Sequence, residues 1–139
     1  NYIVADVEGN IARLASGLVP IRLSGDGLVP QLVGAEDNWD GPIPAAAMPR
    51  QLNLPRGWVG STNNRVTDAD YPYPFSTHFA PGWRYLRLTE IMDGAATPMT
   101  TADHWRANLD IKNLLAERLR PRLLAAFAQD PALAELALR

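Results

Sequence analysis

The run Gly57-Trp58-Val59-Gly60-Ser61-Thr62-Asn63-Asn64 carries the residues of this chain best suited to chemistry. It is a short apolar stretch that ends on two side-chain amides. A strand that delivers an Asn pair to its own end holds amide N–H donors at a fixed point, and donors held in that way can stabilise an oxyanion. The plainer reading of the same residues is a turn after a strand, because Asn tolerates left-handed backbone and caps turns. The residues alone leave both readings open.

Other groups with chemical potential read more plainly. His78 and His104 are separated by a loop and a helix, and neither has the i, i+4 partner of a zinc-binding helix, so both read as structural. No Gly-x-Ser-x-Gly elbow is present, and Ser61 lacks the flanking pattern. Asp26, within Ser24-Gly25-Asp26-Gly27, is tight-turn sequence. The spacing excludes an EF-hand. Arg87, in Arg84-Tyr85-Leu86-Arg87-Leu88-Thr89-Glu90-Ile91, reads by itself as a solvated helix-surface residue. Asp110 interrupts a helical stripe, as a cap or a break between two helices does. Trp39 and Trp58 read as core or interface anchors.

The elements that position these residues can be outlined from pattern. Residues 2–7 are rich in β-formers, Glu8-Gly9-Asn10 supplies turn chemistry, and residues 11–15 return as the second arm of a hairpin. Residues 21–23 form a short further strand. Residues 25–57 are loop-dominated, and Pro30, Pro42, Pro44, Pro49 and Pro55 forbid a long helix there. Residues 58–62 make the next strand, and residues 68–81 a Pro-rich, aromatic passage. A helix over 83–92 follows, ended by Gly94. Thr100 with Asp103 resembles a capping pair for the next helix. Leu114, Leu115, Leu119, Leu123, Leu124 and Phe127 make a 3.6-period stripe, read as core, with a kink or break at Pro121. Asp130-Pro131 starts a last short helix. Strands and loops come first (1–82) and helices second (83–139), which is an α+β order. The front half holds few strands, and they are expected to pair with neighbours outside this chain.

Composition bounds the function. The chain has 139 residues, 47% of them hydrophobic, which excludes a disordered polar tail and suffices for a sizeable core. A net charge of −2, without a dense block of either sign, gives no footprint for nucleic acid. The absence of Cys excludes disulfides, thiolate zinc sites and Cys nucleophiles within the chain. No apolar run has transmembrane length, so no membrane partner is expected. Asn1 is not Met and opens directly on a strand pattern, so the N-terminus reads as a cut.

Four motifs then stand in order: Val4-Ala5-Asp6-Val7-Glu8-Gly9-Asn10-Ile11, Pro20-Ile21-Arg22-Leu23-Ser24-Gly25-Asp26-Gly27, Trp39-Asp40-Gly41-Pro42-Ile43-Pro44 and the run ending at Asn64. With matching gaps over roughly residues 1–128, this series resembles the β-chain of the penicillin acylase family, amidases with an N-terminal nucleophile. The resemblance implies an αββα sandwich, a heterodimer made by self-cleavage of one precursor, and a periplasmic or secreted location in a bacterium. It implies hydrolysis of a linear amide bond in N-acylated compounds such as β-lactams or N-acyl-homoserine lactones. In the family scheme an N-terminal Ser is the nucleophile, and its own amine, acting through water, is the base. That Ser is not in this chain, so the chain alone is expected to be inactive. The resemblance assigns oxyanion stabilisation to Asn63 and places Arg87 behind it, fixing the amide carbonyl. It prefers Arg87 to Arg84 for its register with Leu88-Thr89-Glu90. Some members bind a structural calcium near Asp26, with most ligands outside this segment; no metal or other cofactor is assigned to this chain. The Asp110 position often carries Asp in the family, with a structural role. The implied partners are the remainder of the β-chain, the α-chain and a small-molecule amide. The rival reading is a non-catalytic binding module, in which Trp39, Tyr71, Tyr73 and Phe75 stack on sugars or peptides.

Overall fold

Strands fill the first part of the chain and helices the rest. The computed structural model describes residues 1–30, 39–96 and 98–129. It divides into two compact units, Asn1–Pro81 and Gly82–Arg139.

In the first unit, β1 (Tyr2–Ala5) and β2 (Ile11–Leu14) form the expected antiparallel hairpin, with Ile3 opposite Arg13 and Val4 opposite Ala12. β1 stops at Ala5 because Asp6 turns the chain. Its Oδ1 accepts the N–H groups of Glu8 and Asn10 at 3.0 and 2.8 Å, and Oδ2 accepts from the Asn10 amide at 2.7 Å. Gly9 supplies the left-handed residue of that turn, at φ 88°. These hydrogen bonds hold the Asp6 carboxyl below its ordinary pKa, the Asn10 side chain contributing most.

The passage expected to be loop contains two further strands, β4 (Trp39–Pro42) and β5 (Arg50–Leu52). β4 pairs with β3 (Pro20–Arg22) through a register shift, and β5 pairs with the open edge of β2 in the order β1-β2-β5. Their prolines lie at strand ends or flanks, where a missing N–H costs no ladder bond. Residues 58–62, expected as a strand, pair with no strand among the described residues. An extended segment becomes a strand only when a neighbour completes its ladder, and the Thr62 amide turns instead to the Asn64 side chain.

Among its described residues the second unit holds three helices, each where its sequence pattern places it. α1 (Trp83–Asp93) ends at Gly94, whose N–H still reaches the Glu90 carbonyl at 3.2 Å. Gly94 keeps right-handed backbone; it is required there because a Cβ would lie 3.0 Å from that carbonyl oxygen. α2 (Thr101–Asn108) starts on a reciprocal cap: Thr100 Oγ1 accepts from Asp103 N–H, and Asp103 Oδ2 accepts from Thr100 N–H at 2.9 Å. α3 (Leu114–Phe127) is capped by Asn113, whose Oδ1 accepts from Ala116 N–H at 3.0 Å. It runs through Pro121 without the expected break. One lost bond at the Glu117 carbonyl is outweighed by the strong helix formers on both sides. The expected helix at Asp130-Pro131 lies outside the described residues.

The described core is small. In the first unit it consists of Ile43, Met48 and Trp58 with the guanidinium of Arg13; in the second it is Leu114. The expectation that the whole Leu stripe is core is corrected: Leu115, Leu119, Leu123, Leu124 and Phe127 are 37–51% exposed. α1 and α3 pack on each other but offer no second layer to cover that face. Tyr2, Ile3 and Val4 of β1 are exposed as well.

Candidate functional site

The stretch leading to Asn63 is anchored at both ends. Gly57, at φ 73°, closes a turn by donating to the Leu54 carbonyl at 2.9 Å. Trp58 is buried, with the Arg56 guanidinium 3.8 Å over its ring, and Arg56 Nε donates to the Trp58 carbonyl at 3.0 Å. Stacking and hydrogen bond together fix the start of the stretch. At its far end the Asn63 carbonyl accepts from Ala80 N–H at 2.7 Å, across a large loop.

The two Asn residues are in different states. Asn64 is spent on its own turn: Oδ1 accepts from Thr62 N–H at 3.0 Å, and Nδ2 donates to the Arg65 carbonyl at 2.9 Å. Asn63 holds left-handed backbone at φ 63° and is solvent-exposed. A non-Gly residue in that region is uncommon, and Asn is among the residues that adopt it most readily. The left-handed backbone of Asn63 and the side-chain bonds of Asn64 both accord with the turn reading. Beside Asn63, the Thr62 hydroxyl is buried without a partner among the described residues.

Arg87 lies in the second unit, on α1. Its Nε donates to Asp110 Oδ1 at 2.9 Å, Nη2 to Asp110 Oδ2 at 2.7 Å, and Nη1 to Glu90 Oε2 at 3.1 Å. The solvated-surface reading of Arg87 thus gives way to a guanidinium held by two carboxylates. These bonds, those of Asp110 foremost, raise the Arg87 pKa further, and the Asp110 carboxyl is held below its ordinary range chiefly by Arg87. Asp110 is neither the N-cap nor the C-cap of a helix: α2 ends at Leu109 and α3 is capped by Asn113.

The remaining candidates fall to structural roles. Asp26 Oδ1 accepts from Leu28 N–H at 2.9 Å, which closes its turn. No set of three His, Asp or Glu side chains converges on a metal position among the described residues. His78 and His104 are exposed, and the Ser76 hydroxyl accepts the His78 backbone N–H at 3.1 Å. Tyr71 meets Tyr73 and Phe75 edge to face, at 5.8 and 6.4 Å between centroids, and its hydroxyl donates to the Ala47 carbonyl at 2.9 Å. These rings pack on one another instead of lying open as stacking platforms.

Arg13 escaped sequence reading. It is 2% exposed on β2, opposite Gln51 of β5, and its Nε donates to Gln51 Oε1 at 3.2 Å. The only signal for it was its place at the centre of an otherwise apolar strand.

The described residues make a mixed α/β arrangement of few strands and three helices. The Penicillin amidase family model matches residues 1–138, and the chain belongs to that family. It is 35% identical over 105 residues to the penicillin acylase 2 proenzyme of Pseudomonas sp. (strain SE83), covering 74% of this chain and 13% of that protein. It is 33% identical over 93 residues to the acyl-homoserine lactone acylase QuiP of Pseudomonas fluorescens (strain Pf0-1), and 34% identical over 93 residues to the penicillin G acylase of Escherichia coli. Each of those matches covers 66% of this chain and 11% of the relative. The chain thus spans about an eighth or less of the length of the curated relatives it matches.

Proposed function

We propose that this chain is one segment of an amidohydrolase that cleaves a linear amide bond of an N-acylated compound, of the β-lactam or N-acyl-homoserine-lactone kind. The observation that carries the reading is membership of the penicillin amidase family over residues 1–138, with acylases of both kinds as relatives. In this reading the segment belongs to the β-chain of an enzyme cut from a proenzyme and lying in an αββα sandwich in the bacterial periplasm or outside the cell. Its partners are the rest of the β-chain and the α-chain. The exposed apolar faces of β1 and α3 support it, because a free-standing domain seldom leaves such rows uncovered.

The chemistry divides accordingly. A Ser nucleophile outside this segment attacks the acyl carbonyl, and negative charge develops on its oxygen. Asn63 donates an amide N–H to that oxygen. Arg87 is read, as the family resemblance implies, as the arginine that supports this donor, a task suited to a planar guanidinium. A donor of this kind contributes about 3 kcal/mol to transition-state stabilisation.

The test is Asn63→Ala in the full-length protein that contains this chain. Release of 4-nitroaniline from N-acyl anilides should slow by roughly 100-fold or more, with little change in melting temperature. Near-normal kcat/KM would remove Asn63 from the oxyanion site. The isolated segment should release no amine above a denatured control.

A further inference from the structure

We propose that Asn53 is a positioning residue for this reaction: with Asn10 it fixes the root of the run that ends at Asn63. The inference rests on the reading of Asn63 as the oxyanion donor.

Among the described residues two that are not glycine hold left-handed backbone, Asn53 at φ 46° and Asn63 at φ 63°, and they bracket the run. Both belong to the first unit. Asn53 stands where β5 ends. β5 pairs with β2 as far as Leu52, opposite Ala12. The next rung would join residue 53 to Ile11 through two backbone bonds, and one of them forms: Asn53 N–H donates to the Ile11 carbonyl at 2.9 Å. The left-handed backbone then turns the main chain away. The side chain replaces the missing half, its Oδ1 accepting from Ile11 N–H at 2.9 Å. Asn53 closes the sheet with its amide while its backbone leaves for Leu54.

The same amide is held from its other end. Asn53 Nδ2 donates to Asn10 Oδ1 at 2.8 Å, and Asn10 Nδ2 donates to Asp6 Oδ2 at 2.7 Å. A carboxylate only accepts and a backbone N–H only donates, so Asp6 and Ile11 dictate which way both amides face. Beyond Asn53 the run is tied to itself, by Gly57 N–H on the Leu54 carbonyl and by the Arg56 guanidinium over buried Trp58. The bonds of Asn53 join its root to β2 and to the Asp6 turn, and so set where it starts and in which direction. As a plain strand stop glycine would serve as well, since it adopts positive φ at no steric cost. What Asn adds is the amide, and both ends of that amide are spent on holding the root. A group misplaced by about 1 Å costs on the order of 100-fold in rate, so a small shift at the root reaches the reaction.

The experiment uses the full-length protein that contains this chain, with Asn53→Gly, Asn10→Ala and Asn63→Ala, and with each of the first two combined with the third. Substrates are the 4-nitroanilides of phenylacetic and octanoic acids, with kcat, KM and thermal melts measured for each variant. Asn53→Gly keeps the backbone and removes the amide. It should lower kcat about 10-fold, with KM within about two-fold. In the Asn63→Ala background the same change should alter kcat less than about two-fold, because the residue it acts through is gone. If Asn53→Gly keeps kcat within two-fold of the parent, whatever its melting temperature, Asn53 is a plain strand stop and the inference falls, with the oxyanion reading intact. An equal loss in both backgrounds overturns it too, since Asn53 then acts elsewhere. If Asn63→Ala keeps normal kcat, the reading of Asn63 fails and takes the inference with it. Should Asn53→Gly not fold, Asn10→Ala decides, since it removes the support of the Asn53 amide and leaves its pairing with Ile11. A loss of kcat beyond two-fold that disappears in the Asn63→Ala background supports the inference, and any other kcat result for Asn10→Ala overturns it.

Discussion

Arg87 of α1 and Asp110, 23 residues further along the chain, meet through two parallel hydrogen bonds and make a planar fork. The fork ties the first helix of the second unit to the junction between the other two. It also gives Arg87 a defined orientation.

Arg87→Lys in the full-length protein should reduce kcat/KM by at least about 10-fold, because an ammonium keeps the charge but cannot reproduce the planar donor set. Arg84→Lys should stay within about two-fold. Steady-state kinetics on one N-acyl anilide compares them directly. If Arg84 is the sensitive residue, the assignment moves one turn back along α1 and the oxyanion site remains.

Asp6, Asp103 and Asp110 all titrate below their ordinary value of 3.8, through hydrogen bonds from Asn10, Thr100 and Arg87 respectively. Each binds its proton more weakly when folded than when unfolded. Their contribution to stability is complete above the unfolded value and is lost as the pH falls through the folded one. Melting temperature should therefore hold between about pH 5 and 7 and drop below about pH 4. The gap between the parent protein and Asp110→Asn should shrink over the same acid range. A gap that is constant down to pH 3 would mean that the Asp110 carboxylate is not stabilising.

Tyr71→Phe should cost about 1 kcal/mol, the net value of one hydrogen bond. Its hydroxyl joins the aromatic passage to the Ala47 carbonyl, and burial, with Tyr73 adding to it, raises its pKa so that it stays a donor. Amide exchange around residues 45–48 should quicken about five-fold. Unchanged exchange there would remove Tyr71 from the architecture of the first unit.

Pro121→Ala should strengthen α3 by restoring an N–H to the Glu117 carbonyl, with a gain of up to about 3 kcal/mol in local helix stability. Exchange of amides at residues 118–125 should slow by roughly 10- to 100-fold. No slowing would mean that the Glu117 carbonyl already has another donor.

The local elements were legible because their causes are local. The hairpin turn at Glu8-Gly9-Asn10, the Thr100–Asp103 cap and the stop at Gly94 each depend on residues within four positions of one another. The family was legible too, because four short motifs keep their order and spacing. Tertiary structure decided whatever depends on distant partners. β5 exists because β2 offers an open edge 38 residues earlier, where Arg13 faces Gln51, and no property of Arg50-Gln51-Leu52 announces it. Residues 58–62 have strand composition and no strand partner among the described residues. The clamp on Arg87 comes from a carboxylate just beyond the next helix, in a sequence position that reads only as a helix boundary. Propensity and capping act over a few residues and can be read along the chain. Pairing, burial and ion-pair geometry act across space, and only the folded chain chooses the partner.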